Sequence, residues 1–155
     1  PRRYMHTNRL VDIFNVAREM IHGEMKYHEG EFDDAFAHLR RAVELDDGLA
    51  YDEPRGWMMP TRHPLGALLL EQGNVQEAAE AYEADLGFND VVARSGRHPG
   101  NVWALLGLHE CYTRLGRETE AALIKPALDV ALGRADAEVQ SSCFCAMPLG
   151  EECCE

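Results

Sequence analysis

The chain has 155 residues, with 15 Lys and Arg set against 27 Asp and Glu, a formal charge of −12. That length suits one domain of two packed layers, and an apolar fraction of 46% argues against disorder of the whole chain. A pI near 4.9 disfavours nucleic acid and anionic membrane surfaces, whose phosphates would be repelled at long range. No run approaches the roughly 18 apolar residues of a membrane span. The start PRRYMHTNRLVDIFNVA lacks the small-residue cleavage site of a secretory signal, which fits a cytoplasmic protein.

In chain order, apolar residues recur at helical spacing. The expected helices are 10–29, 31–46, 61–72, 74–86, 101–115 and 117–133. Pro60 and Asn101 are plausible starters of the third and fifth, one through its fixed φ and the other as an N-cap. Pro126 removes a backbone donor and is expected to kink or split the sixth. Two connectors rich in turn formers, 46–59 and 87–100, separate the helix pairs.

The chain also repeats. Gly30, Gly73 and Gly116 are 43 residues apart, as are Ala35, Ala78 and Ala121. A period of this length is the signature of stacked helical units. The glycines fit left-handed helix ends, and the alanines fit close approach of two helices across a tight turn.

These residues resemble the tetratricopeptide repeat. Gly23, Gly30, Phe32, Ala35, Leu39 and Ala42 occupy its small, turn and packing positions in the first unit. Leu65, Gly66, Gly73, Val75, Ala78 and Tyr82 do so in the second, where Asp85 replaces the last Ala. Leu108, Tyr112, Gly116, Ala121 and Leu128 match in the third, with His109 at a usually small position. The typical repeat is 34 residues, so a spacing of 43 adds about nine to each connector. The run from Ala35 to Gly73, followed by Pro99, Asn101, Leu105–Leu108 and the pair Ala135-Asp136, also resembles a microbial subgroup often found at the end of longer chains. The resemblance implies an all-α, right-handed array of three antiparallel helix pairs over residues 1–140, with a Cys-rich, flexible tail at 141–155. It reads either as the end of a longer repeat protein or as a small stand-alone scaffold.

In such arrays the first helix of each pair lines a concave groove. The groove positions transfer to Met20, Glu24, Tyr27 and His28, to His63, Leu70 and Glu71, and to Trp103, Leu106, Glu110, Thr113 and Arg114. Aromatic, Met, His and carboxylate groups together suit a protein or peptide, with the acidic charge favouring a basic one. Tyr27, His28, His63, Trp103, Glu110 and Arg114 are the expected partner-binding residues. Tyr27, Leu70 and Trp103 read equally well as packing residues.

The connector segment YDEPRGWMMPTRH carries a large apolar load. It is expected to fold back on the helices, with Tyr51 and Trp57 as anchors and Arg62 pairing with Asp52 or Glu53. His6 and His98 look solvent-facing, and Cys111 looks like a small core residue.

Enzyme signatures are missing. There is no HExxH, GxSxG, phosphate-cradling glycine loop or deaminase pattern, so no catalytic residue and no cofactor is expected. The alternative is a thiolate site at Cys143, Cys145, Cys153 and Cys154. Their CxC and CC spacing differs from zinc knuckles and suits Cu(I) better than Zn, and it suits thiol exchange or an oxidised pair as well.

Overall fold

The computed structural model describes residues 3–146. The described chain is all-α apart from one two-residue ladder. It comprises β1 (Tyr4–Met5), β2 (Asn8–Arg9), α1 (Leu10–His28), α2 (Phe32–Asp47), α3 (Arg62–Glu71), α4 (Val75–Leu86), α5 (Val102–Arg114) and α6 (Glu118–Arg134). Single turns of 3-10 helix lie at Arg94–Gly96 and Phe144–Ala146. All six helices fall within two residues of the expected bounds. The small antiparallel ladder at the start was not anticipated.

The three tight turns are built alike. Gly30, Gly73 and Gly116 adopt φ of 80°, 80° and 69°. After each glycine the chain bonds back over the helix it leaves: Glu31 N to Lys26 O at 2.9 Å, Asn74 N to Leu69 O at 2.8 Å and Arg117 N to Tyr112 O at 2.8 Å. These bonds satisfy carbonyls that a helix end would otherwise leave orphaned. The first turn of the next helix then carries Ala35, Ala78 or Ala121, all buried. The 43-residue period is therefore a repeated backbone device.

Helices α1 and α2, α3 and α4, and α5 and α6 form the hairpins. The α4–α5 contact is as extensive as those within the last two hairpins, whereas α2 meets α3 more thinly. One apolar core runs through all three, from Val16, Leu39 and Ala42 through Leu68, Leu69 and Tyr82 to Leu105, Leu108 and Leu128. Cys111 belongs to it, as expected, and burial pushes its thiol up to about 12.

Tyr82 occupies an unusual place in that core. Its ring has no exposed surface. A Cβ built on Gly66 would lie 2.5–2.9 Å from three of its ring atoms, and one on Gly107 would meet the ring from the other side. The ring of α4 thus passes between α3 and α5 where both helices lack a side chain. Its hydroxyl emerges to meet Ser142 Oγ at 2.6 Å.

Three sequence expectations are corrected. Pro126 neither splits nor ends α6, which runs unbroken through it. Both Pro126 and Ala122, whose carbonyl loses its partner, are exposed, so water can satisfy the freed group. Arg62 does not pair with Asp52 or Glu53; it grips Asp47 with two bonds of 2.7 Å, because α3 starts beside the end of α2. Of the two expected anchors, Trp57 packs against the core while Tyr51 is exposed.

The packed domain also extends past residue 140. Ser142 and Cys143 are buried, and the Phe144–Ala146 turn lies against α3. Residues 147–155, the rest of the expected tail, lie outside the described part of the chain.

Candidate functional site

The first connector is closed at its base. Thr61 Oγ1 donates to Asp46 Oδ2 at 3.1 Å, and the Arg62–Asp47 pair sits beside it. Asp46 Oδ1 is buried without a partner among the described residues. Burial pushes the Asp46 carboxyl above its ordinary range, against the pull of the nearby Arg55 charge and the Thr61 bond. Asn8 holds the connector from outside, accepting from Ala50 N at 2.8 Å and donating to Ala50 O at 2.9 Å. Asp52 accepts from Thr7 N at 3.2 Å.

Asp85 is the centre of the site. It stands 43 residues after Ala42, at a position that is fully buried in the first unit, and is itself only 2% exposed. A carboxylate so placed needs partners. His63 Nε2 lies 3.0 Å from Asp85 Oδ2 and His98 Nδ1 lies 2.8 Å from Asp85 Oδ1. Burial alone would raise this carboxyl, but the two imidazole bonds outweigh it and hold Asp85 below the usual carboxylate range.

The proton positions follow from the network. Arg55 Nη1 lies 2.9 Å from His98 Nε2 and donates to Gly96 O at 3.0 Å. A guanidinium can only donate, so His98 Nε2 accepts and its proton resides on Nδ1, directed at Asp85. His63 in turn donates a hydrogen bond from Nε2–H to the carboxylate. The backbone supports the arrangement, since His98 N donates to Asp85 O at 2.7 Å. His98 is thus not the solvent-facing residue expected from sequence; the second connector folds back and delivers it to α4.

A cavity of about 550 Å³ opens over this cluster. Met58, Met59, Pro60 and Trp103 form apolar walls, His63 and His98 supply polar groups, and Ser142 and Cys143 close one edge. A second, smaller cavity of about 250 Å³ lies between the two connectors, with Asp46, Asp52 and Arg55 in its lining. Arg55 borders both.

The six expected partner-binding residues divide. His63 and Trp103 line the same cavity, with Trp103 37% exposed. Tyr27 lies elsewhere; it is buried, and its hydroxyl accepts from Gln72 Nε2 at 2.8 Å. His28 is exposed and touches only the edge of Tyr27 among aromatic rings. Glu110 and Arg114 form an exposed ion pair, and Arg114 Nη1 donates to Leu70 O at 3.2 Å near the far end of α3.

Of the four expected metal ligands, Cys143 and Cys145 form a disulfide, and in that state neither is a thiolate ligand. Cys153 and Cys154 lie outside the described residues. Among the described residues no group of three or more His, Cys, Asp or Glu is arranged to hold a metal ion.

Asp85, His98 and Arg55 were missed in the sequence. The available signal was the break in the repeat, a charge where the first unit has a buried alanine. No helix among the described residues is long and apolar enough to cross a membrane. Comparison with family models, with curated proteins and with solved structures gives no match for this chain.

Proposed function

We propose that the chain is a non-catalytic, tetratricopeptide-like scaffold that binds a protein or peptide along the face formed by α1, α3 and α5. The observation that carries this reading is the chain's own tail. The Phe144–Ala146 turn lies on α3, with Ser142 bonded to the Tyr82 hydroxyl and Cys143 at the cavity edge. A face that accommodates a short polypeptide in this way has the shape and polarity for another.

The cavity beside the tail supplies the anchor point. Its Met and Trp walls are adaptable and apolar, and the His63–Asp85–His98 cluster gives a few oriented polar groups at the floor. Long-range attraction by a chain of charge −12 favours a basic partner.

Trp103 reports directly on occupancy. Its fluorescence, followed during titration with a pool of Lys- and Arg-rich twelve-residue peptides and with an acidic pool, gives a saturable change with the basic pool alone. Trp103→Phe loses the signal, and Met59→Ala with His63→Gln weakens capture measured by anisotropy of labelled peptide. Equal response to both pools, or binding unchanged by the cavity substitutions, refutes the assignment.

A further inference from the structure

The Cys143–Cys145 pair stands apart from the binding reading. The two sulfurs are joined across a single intervening residue and differ in their surroundings. Cys143 is 7% exposed, whereas Cys145 is only partly buried. The backbone amide of Cys145 donates to Cys143 Sγ at 3.2 Å. Cys143 also lines the cavity that holds Arg55, His63 and His98. Its neighbour Ser142 is fixed by Tyr82, whose ring is wedged between α3 and α5. Cys143 Sγ is thus buried and accepts one backbone hydrogen bond, while Cys145, which packs against the edge of the core, is the more exposed of the two.

We propose that this disulfide is a thiol–disulfide exchange site for a thiol-bearing peptide, with Cys145 as the sulfur attacked and Cys143 as the leaving group. A substrate thiolate attacks Cys145 Sγ in line with the bond to Cys143. That bond breaks as a new one forms between the substrate sulfur and Cys145. The electron pair departs on Cys143 Sγ as a thiolate, which accepts the Cys145 amide hydrogen bond and faces the cavity that Arg55 also lines. If the substrate carries a second thiolate, that group attacks the substrate's own sulfur in the mixed disulfide and expels Cys145. The substrate leaves oxidised to a disulfide, and Cys143 and Cys145 remain as two thiols after taking up the two protons. The reverse sequence transfers oxidation to the chain.

Exchange is faster when the leaving thiol is the better stabilised and the attacked sulfur the more accessible. The greater exposure of Cys145 selects it for attack.

Glutathione is the probe. Full-length chain carrying Cys153→Ser and Cys154→Ser is used, leaving buried Cys111 as an internal control. Reduced glutathione is added to the oxidised protein, samples are quenched with an alkylating agent, and masses are read over time. The pair is expected to open at least about tenfold faster in the folded chain than in the same chain in urea. In the two single variants, oxidised glutathione is expected to add to the lone Cys145 of Cys143→Ser about tenfold faster than to the lone Cys143 of Cys145→Ser. Arg55→Gln, with folding checked by circular dichroism, slows opening of the intact pair without changing the rate at which lone Cys145 is modified. Equal modification of the two single variants, opening no faster than in urea, or failure of the pair to close under oxidised glutathione overturns the proposal.

Discussion

Gly66→Ala tests the claim that Tyr82 owes its position to missing side chains. In an ordinary helix interior this change gains about 1 kcal/mol, because alanine loses less backbone freedom. Here the added Cβ would sit 2.5 Å from Tyr82 Cζ and 2.8–2.9 Å from two further ring atoms. The ring has no free side to retreat to, since Gly107 faces it from α5. Overpacking of a filled core costs about 1–3 kcal/mol, and a ring confined on both faces belongs at the upper end. The expected net loss is about 2 kcal/mol, which for a chain of this size lowers Tm by roughly 4–8 °C. Tyr82→Leu removes the ring atoms that would clash. In that background Gly66→Ala is expected to stabilise by up to about 1 kcal/mol, a reversal of sign and a coupling near 3 kcal/mol. Urea unfolding followed by far-ultraviolet circular dichroism measures all four proteins. A cost for Gly66→Ala that is equal in both backgrounds refutes the steric argument. Gly30→Ala is the control, because its Cβ would meet nothing within 4 Å while its φ stays at +80°. Its cost of about 1 kcal/mol arises in the backbone and no change of partner relieves it.

Three further outcomes follow from the same geometry. Asn101 Oδ1 accepts from Trp103 N at 3.0 Å and Ala104 N at 3.2 Å, so Asn101→Ala is expected to cost about 1 kcal/mol and to speed hydrogen exchange at those two amides. Asp85 has its carboxyl lowered in the folded state, so its contribution is present above its ordinary value of 3.8 and is lost as pH falls through the lowered one. Urea midpoints from pH 7 to pH 2 should therefore fall on the acid side in the parent chain. The fall should be shallower in Asp85→Asn, which starts about 2 kcal/mol lower at pH 7 because one carboxylate oxygen becomes an amide NH2 and one of the two imidazoles loses its acceptor; parallel pH curves would contradict this. Tyr82→Phe removes only the bond to Ser142, and about 1 kcal/mol of tail attachment with it. Cys143 should then react with glutathione as readily as Cys145, read by the same alkylation assay, and persistence of the difference would show that the tyrosine does not hold the tail.

The helices were legible because each of their signals is local. Glycine at a left-handed turn and alanine at the base of a hairpin are demands of two or three residues, and the chain states them three times. Long-range pairings were not legible. Arg62 pairs with Asp47 because α3 starts beside the end of α2, a closeness that only the folded connector creates. His98 was read as a surface residue because nothing in its own neighbourhood says that the connector returns to α4. Half of the cavity could be anticipated, His63 and Trp103, since both lie on first helices. The other half comes from connectors, whose path depends on what they bury. Asp85 was visible as an exception to the repeat, but an exception declares only that a partner is needed. The segment after residue 140 is too short and polar to build a core of its own, and it packs because α3 and the Tyr82 hydroxyl already offer it a surface.

Asp85 also means that the three units are not interchangeable parts. A sequence averaged over the units would place alanine or leucine there, and His63 and His98 would lose the carboxylate that both of them bond. Copying the second unit elsewhere would not carry its chemistry either, since Arg55 lies in the connector before it and His98 in the connector after it. The repeat supplies a uniform frame, and the individuality of this protein resides in one position where the frame is broken and in the two loops that answer the break.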